Sequence, residues 1–192
     1  MLSGGLTGHS LTHSDVGGYT MIDHALFKFF RSRELLFRWV EMGAFAGAIY
    51  RTHLGSFMHT PSAQVWDDVE TIQHFARFGK IFAALAPYRQ VLMEEAADVG
   101  YPLIRPLFLH VPQDPLVTHL PFQFLLGEDL LVAPVLDPGM MASRVYLPAV
   151  EEGWVHVWTS RLIGYKATKG EWVRIPSEIG QPPVFYRKGS PY

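Results

Sequence analysis

The chain has 192 residues, 48% of them hydrophobic, and its 16 basic and 18 acidic side chains give a formal net charge of -2. Such a balance offers no basic footprint for nucleic acid, and no segment approaches the ~20 consecutive apolar residues of a membrane span. The composition therefore favours a small-molecule partner over nucleic acid or a membrane. The absence of cysteine excludes disulfides and thiolate metal sites.

The opening residues, MLSGGLTGHS, carry neither the cationic start nor the apolar run of a signal peptide. They therefore predict a cytoplasmic location by default. The composition does not predict an oligomeric state.

The first periodic segment is SRELLFRWVEMGAFA, residues 32–46. Its apolar residues fall mostly on one helical stripe, Ser32 can cap the N-terminus, and Glu34 lies in the first turn, where the helix dipole favours an acid. We predict a helix packed on a core. The next segment, GAIYR at residues 47–51, is short and β-prone, which predicts a buried strand that delivers side chains at its C-terminal end.

Further helices follow a loop over residues 52–64. A second helix is predicted over residues 67–86, capped by one of two adjacent aspartates, and a third over residues 88–99, stopped by Gly100. The segment PLIRPLFLH, residues 102–110, then predicts another strand. This alternation of strands and helices is typical of a parallel α/β sheet or barrel.

The pattern of hydrophobic residues along the sequence changes near residues 111–121. Beyond that point, short β-type runs are separated by glycine and proline, and helical periodicity disappears. Several short strands at such spacing predict an antiparallel sandwich or barrel. We therefore divide the chain into a first domain at residues 1–115 and a second at residues 116–192.

Two histidines near the start are spaced like metal ligands on a helix, His9 and His13. No glutamate accompanies them as in the metalloprotease motif, and the surrounding glycines and threonines do not suit a helical face. The glycines at positions 4, 5 and 8 match neither dinucleotide-binding nor phosphate-loop spacing. The sequence therefore predicts no metal and no cofactor.

The stretch THSDVGGYT, residues 12–20, places Asp15 before two glycines. At the end of a barrel strand, an aspartate followed by glycines faces the active site, and it can donate a proton if its pKa is raised. An aspartate before glycines more often shapes the turn with its side chain, and the residues alone favour that role for Asp15. A second candidate strand end, YRTH, offers Tyr50, Arg51 and His53 to the same face. The residues alone leave both roles of Asp15 open.

A series of segments, in this order, resembles glycoside hydrolase family 31, the α-glucosidase family, and in particular its sulfoquinovosidases. The segments are HSDVGGYT, RSRELLFRWVEMGAF, YRTH, LAPYR, RPLFLH, LLGEDLLVAPVL and GQPPVFYR. The resemblance implies an α/β plus all-β chain, the C-terminal part of a (β/α)8 barrel followed by an antiparallel β-sandwich. It also implies a retaining glycoside hydrolase that cleaves α-glycosidic bonds of a small glycoside, in particular α-sulfoquinovosides, without a cofactor.

The resemblance also assigns roles to the site residues. Asp15 becomes the general acid/base, and His53 a residue that contacts substrate hydroxyls, with Arg51 and Tyr50 near the pocket. Related sequences continue RTHEG, whereas this chain has Leu54 in place of the glutamate. Any substrate contact made by that glutamate is therefore missing.

The resemblance places the catalytic nucleophile on an earlier barrel strand, to which no residue of this chain corresponds. We therefore expect a truncated chain that is inactive alone. Two alternatives stay open: an α-glucosidase or α-xylosidase of the same family, and a catalytically inactive carbohydrate-binding remnant.

Overall fold

The computed structural model describes residues 1–55 and 61–191. Its α-helices are α1 (Leu2–Leu6), α2 (Arg33–Phe45), α3 (Val69–Ala84) and α4 (Ala86–Val99). Its strands are β1 (Ile22–Asp23), β2 (Lys28–Phe29), β3 (Ile104–Arg105), β4 (Phe124–Leu126), β5 (Leu130–Val132), β6 (Ala142–Leu147), β7 (Trp154–His156), β8 (Leu162–Ile163), β9 (Glu171–Pro176) and β10 (Val184–Arg187). Short 3-10 turns lie at Leu107–Leu109 and Pro115–His119.

The three long helices confirm the predictions made from their capping residues. Ser32 caps α2, since its hydroxyl accepts the Leu35 N–H at 3.1 Å. Of the two candidate aspartates, Asp68 caps α3 by accepting the Thr71 N–H at 2.8 Å. Helix α4 ends at Gly100, which adopts the left-handed conformation at φ +80° that a helix C-terminus favours.

The strand predicted over residues 47–51 is wrong. The segment carries no strand, and its neighbourhood contains a single parallel bridge between Val16 and Thr52, where the Val16 N–H donates to the Arg51 carbonyl at 2.8 Å. Gly47 has φ +84°, which interrupts the extended backbone that a ladder needs. Pairing therefore stays confined to one residue pair.

The strand predicted over residues 102–110 is shorter than expected, and it belongs to the antiparallel sheet of the C-terminal half. Only Ile104 and Arg105 form strand β3, which pairs antiparallel with β4 rather than parallel with an earlier segment. Pro106 follows at once, and because proline has no N–H it cannot continue the ladder. Among the described residues, the alternation of helices and β-prone segments therefore does not produce the expected parallel sheet.

The C-terminal half confirms the prediction of short antiparallel strands. Six strands form one sheet in the order β3-β4-β5-β10-β7-β8, and β6 pairs with β9 in a second. The two sheets share one hydrophobic cluster that includes Leu131, Val145, Trp154, Ile175 and Phe185. The chain is thus a mixed one, helical first and antiparallel β afterwards, while the domain boundary at residue 115 stays a prediction.

Helix α2 is tied to the C-terminal half by the buried side chain of Arg38. Its Nη2 donates to the carbonyls of Ser177 at 2.8 Å and Met140 at 2.9 Å, and its Nη1 lies 3.1 Å from the Glu41 carboxylate. Burial raises the pKa of Glu41, whereas the Gly180 N–H, which Glu41 accepts, and Arg38 act in the opposite direction. The helix therefore has one position relative to these loops.

No helix in the described part of the chain combines the length and the apolar composition needed to cross a bilayer.

Replacing Ser32 with alanine should destabilise the protein by about 0.5–2 kcal/mol, because the Leu35 N–H at the start of α2 loses its acceptor. Urea denaturation of both proteins measures the difference. Ser3→Ala is the matched control, since Ser3 is exposed and caps no helix. Equal stability of Ser32→Ala and Ser3→Ala would contradict the proposed cap.

Candidate active site

Asp15 lies in a group of three polar side chains. Its Oδ1 accepts from Arg51 Nη2 at 2.9 Å and from Nε at 3.3 Å, and it lies 3.2 Å from His13 Nε2. The Asp15 side chain is only 15% exposed, whereas that of Arg51 is 61% exposed. The structure therefore brings Asp15 and Arg51 together, and it adds His13, which was not among the site residues predicted from the sequence.

These contacts set the charge of Asp15. The hydrogen bond from Arg51 lowers the pKa of the carboxyl most, burial acts in the opposite direction, and His13 lowers the pKa further. Asp15 is therefore a carboxylate at neutral pH in this arrangement. A carboxylate can accept a proton from water, whereas donating one requires a raised pKa.

The backbone shows how Asp15 takes part in the turn. The Gly18 N–H donates to the Asp15 carbonyl at 2.8 Å, and Gly17 and Gly18 have φ +85° and +91°. The turn therefore uses the carbonyl of Asp15 and the conformational freedom of the glycines. The carboxylate is directed to Arg51 and His13, so a purely turn-forming role for the side chain is wrong.

His53 has a defined orientation beside Asp15's segment. Its ring lies 4.2 Å from the Tyr19 ring, between centroids, at an interplanar angle of 31°. Its Nδ1 accepts the Gly55 N–H at 3.3 Å, so the neutral imidazole carries its proton on Nε2. That N–H can donate to a hydroxyl group of a ligand.

Tyr50 lies in the hydrophobic core of the helices and does not join the Asp15 group. Its hydroxyl donates to the Val40 carbonyl at 3.3 Å, and its ring stacks on those of Phe75 and Phe82 at 5.1 and 5.3 Å. Burial raises the pKa of its hydroxyl well above the ordinary value. The structure thus gives Tyr50 a packing role.

Sequence reasoning missed the residues that support the site. Trp39 of α2 donates its Nε1–H to Ser14 Oγ at 3.1 Å, which ties the helix to the segment of the acid. Arg31 is buried against the same segment. The sequence carries only a weak signal for this: Arg31 directly follows FKFF, a run of three phenylalanines and one lysine, and a charged side chain is normally exposed.

Two cavities lie away from this group. One of about 490 Å³ lies between α2 and residues 134–138, and one of about 270 Å³ is lined by the loops at residues 120–123 and 133–137 together with Arg144 of β6 and Trp172 of β9. Neither is lined by Asp15 or His53. In residues 1–55 and 61–191, no three histidines, aspartates or glutamates cluster as a metal site would require.

Two domain families match the chain one after the other. The glycosyl hydrolases family 31 TIM-barrel domain matches residues 1–89, and the glycosyl hydrolase family 31 C-terminal domain matches residues 100–190. The first match contains Asp15, Arg51 and His53, and the second contains the antiparallel sheets.

Individual relatives agree with the domain matches. Sulfoquinovosidase from Escherichia coli is 44% identical over 98% of this chain, and neutral alpha-glucosidase AB from Mus musculus is 32% identical over 98%. The solved structure of a sulfoquinovosidase from E. rectale, in complex with an aza-sugar inhibitor, is 40% identical over 99% of the chain with a TM-score of 0.88. The chain spans 26%, 18% and 26% of the lengths of these three proteins.

Replacing Arg51 with glutamine should raise the pKa of Asp15, because the hydrogen bond that lowers it most is lost. His13→Gln should raise it less, since the His13 hydrogen bond has the smaller effect. Titration of the Asp15 carboxyl by ¹³C NMR measures both. Arg33→Gln is the control, because Arg33 pairs with Asp68 and Glu70 instead; a shift as large in that variant would show that Arg51 has no specific effect.

Proposed function

Since the chain belongs to glycosyl hydrolase family 31, we propose that it supplies the general acid/base of a retaining α-glycosidase, with Asp15 in that role and α-sulfoquinovosides as substrates. The observation that carries the proposal is the Asp15 carboxylate, poorly exposed and hydrogen-bonded to Arg51 and His13 at the glycine turn. His53, whose Nδ1 accepts the Gly55 N–H, binds a substrate hydroxyl beside it through its Nε2–H.

The proposed reaction has two steps. In the first, protonated Asp15 donates its proton to the glycosidic oxygen while the bond from that oxygen to the anomeric carbon breaks and a second carboxylate bonds to the anomeric carbon. In the second, Asp15 as a carboxylate takes a proton from water, whose oxygen attacks the anomeric carbon and displaces the second carboxylate.

The second carboxylate must lie ~5–5.5 Å from the first. The family resemblance assigns no residue of this chain to the nucleophile, and the chain spans about a quarter of the sulfoquinovosidases that it matches. We propose that a separate part of the intact protein contributes it. In this arrangement, residues 1–115 are the C-terminal portion of the barrel and residues 116–192 are the sandwich domain.

The second carboxylate also explains how Asp15 can be protonated for the first step. Arg51 keeps the pKa of Asp15 low, which suits the base of the second step. A neighbouring negative charge raises the pKa of a carboxyl group, and an exposed arginine such as Arg51 can pair with that charge instead. Asp15 can therefore be protonated before the first step and ionised after it.

Asp15→Asn in the intact protein that carries these residues should lower kcat roughly 10²–10⁴-fold on alkyl α-glycosides, because an amide can neither donate nor accept the proton. Steady-state hydrolysis measures the loss. Asp98→Asn serves as control, since Asp98 is exposed near the end of α4. Undiminished turnover by Asp15→Asn would contradict the assignment of Asp15 as the general acid/base.

Substrate preference is tested by comparing nitrophenyl α-sulfoquinovoside with nitrophenyl α-glucoside and α-xyloside on the same protein. We expect a higher kcat/KM for the sulfoquinovoside, in line with the 44% identity to the E. coli relative. A preference for the glucoside would instead favour a role like that of the mouse relative, at 32% identity. Turnover of none of the three would favour a carbohydrate-binding remnant.

A further inference from the structure

Arg31 is a buried charged residue whose guanidinium hydrogen-bonds to two separate segments, at residue 53 and at residues 63–64. It is 6% exposed, and each of its guanidinium nitrogens has an acceptor. Nε donates to the Ala63 carbonyl at 2.6 Å, Nη1 to the His53 carbonyl at 2.9 Å, and Nη2 to Gln64 Oε1 at 2.8 Å. Burying a charge is costly unless its hydrogen bonds are satisfied, and here they are satisfied by the segments around His53.

Arg31 also lies directly beneath the turn that follows Asp15. A Cβ added at Gly17 would lie 2.7 Å from both Cδ and Nη1 of Arg31, closer than atoms can approach. The backbone of the turn therefore rests on the Arg31 side chain. The same side chain thus contacts the segment that carries the acid/base and the segment that carries His53.

The hydrogen bonds continue on the far side of His53. Gln64, which accepts from Arg31, donates through its Nε2 to the Leu54 carbonyl at 2.9 Å. Two consecutive carbonyls, those of His53 and Leu54, are therefore held by the pair Arg31 and Gln64. These hydrogen bonds fix the backbone of His53, and the fixed backbone positions the His53 ring for its contact with Tyr19.

We propose that Arg31 is a positioning residue for the glycosidase reaction, which fixes the His53 segment against the turn of Asp15 so that both side chains meet the same sugar. The inference rests on the proposed function, and it adds a residue that acts through His53 without touching the substrate. A displacement of about 1 Å in such a group can cost roughly 10²-fold in rate.

The chain offers a matched control in Arg89. This arginine is also buried, and it too donates to three acceptors, the carbonyls of Ala44, Gly47 and Phe82. None of these belongs to the Asp15 or His53 segments. A variant at Arg89 therefore has a comparable structural cost without the proposed effect on His53.

The test is a double-mutant cycle on the intact protein, with Arg31→Met and Arg89→Met each made alone and together with His53→Ala. Arg31→Met should lower kcat/KM for the α-sulfoquinovoside roughly 10- to 100-fold alone, but at most about threefold in the His53→Ala background. The effects of Arg89→Met and His53→Ala should multiply. Independent, multiplying effects of Arg31→Met and His53→Ala would overturn the proposal.

A second measurement does not depend on activity. The His53 ring protons sense the Tyr19 ring 4.2 Å away, so their NMR shifts report the position of His53. Arg31→Met should change these shifts and Arg89→Met should leave them unchanged; unchanged shifts in Arg31→Met would refute the positioning role. If Arg31→Met does not fold, Gln64→Ala removes the Leu54 contact and should show the same pattern to a smaller extent. Absence of turnover in the unmodified protein would count against the proposed function alone.

Discussion

The position of helix α2 depends on the buried guanidinium of Arg38. Two loops of the C-terminal half converge on it through the carbonyls of Met140 and Ser177, and the Glu41 carboxylate one turn along the helix balances its charge. A buried ion pair is stabilised when its remaining donors find acceptors, and here loop carbonyls accept from both terminal nitrogens of Arg38. Sliding or rotating α2 would break these hydrogen bonds and leave a buried charge without them.

Helix α2, rather than a sheet, positions the side chains of the candidate site. Ser32 starts α2 and Arg31 precedes it, so the residue beneath the acid turn is fixed by the helix start. About two turns later, Trp39 donates a hydrogen bond to Ser14, the neighbour of the acid. Within the described residues, β-type pairing between the acid segment and the His53 segment is limited to the parallel bridge between Val16 and Thr52, and side-chain contacts such as Arg51 to Asp15 supply the rest. Side-chain donors on and before a helix therefore replace much of the backbone pairing that usually aligns such segments.

The sequence predicted what depends on local signals. The caps Ser32 and Gly100 act within one turn of their helices, so the helix ends were confirmed, and the family was confirmed because its motifs occur in order along nearly the whole chain. The strand over residues 47–51 was wrong because a strand requires a paired partner, which no local pattern reveals. The burial of Arg31 was missed for a similar reason: its acceptors lie 22 to 33 residues away in loops without any regular pattern.

The contact between Asp15 and Arg51 connects this structure to the direction of the proposed reaction. A carboxylate whose pKa is lowered by an arginine is ready to take a proton, which is the task of the second step, and it is unready for the first. Arg51 Nε and Nη2 both donate to the same oxygen of Asp15, Oδ1. A single movement of the exposed Arg51 side chain therefore removes the larger part of the lowering of the Asp15 pKa. His13, on the acid segment itself, contacts the same oxygen at 3.2 Å and lowers the pKa by less, so the carboxylate keeps one partner when Arg51 moves away.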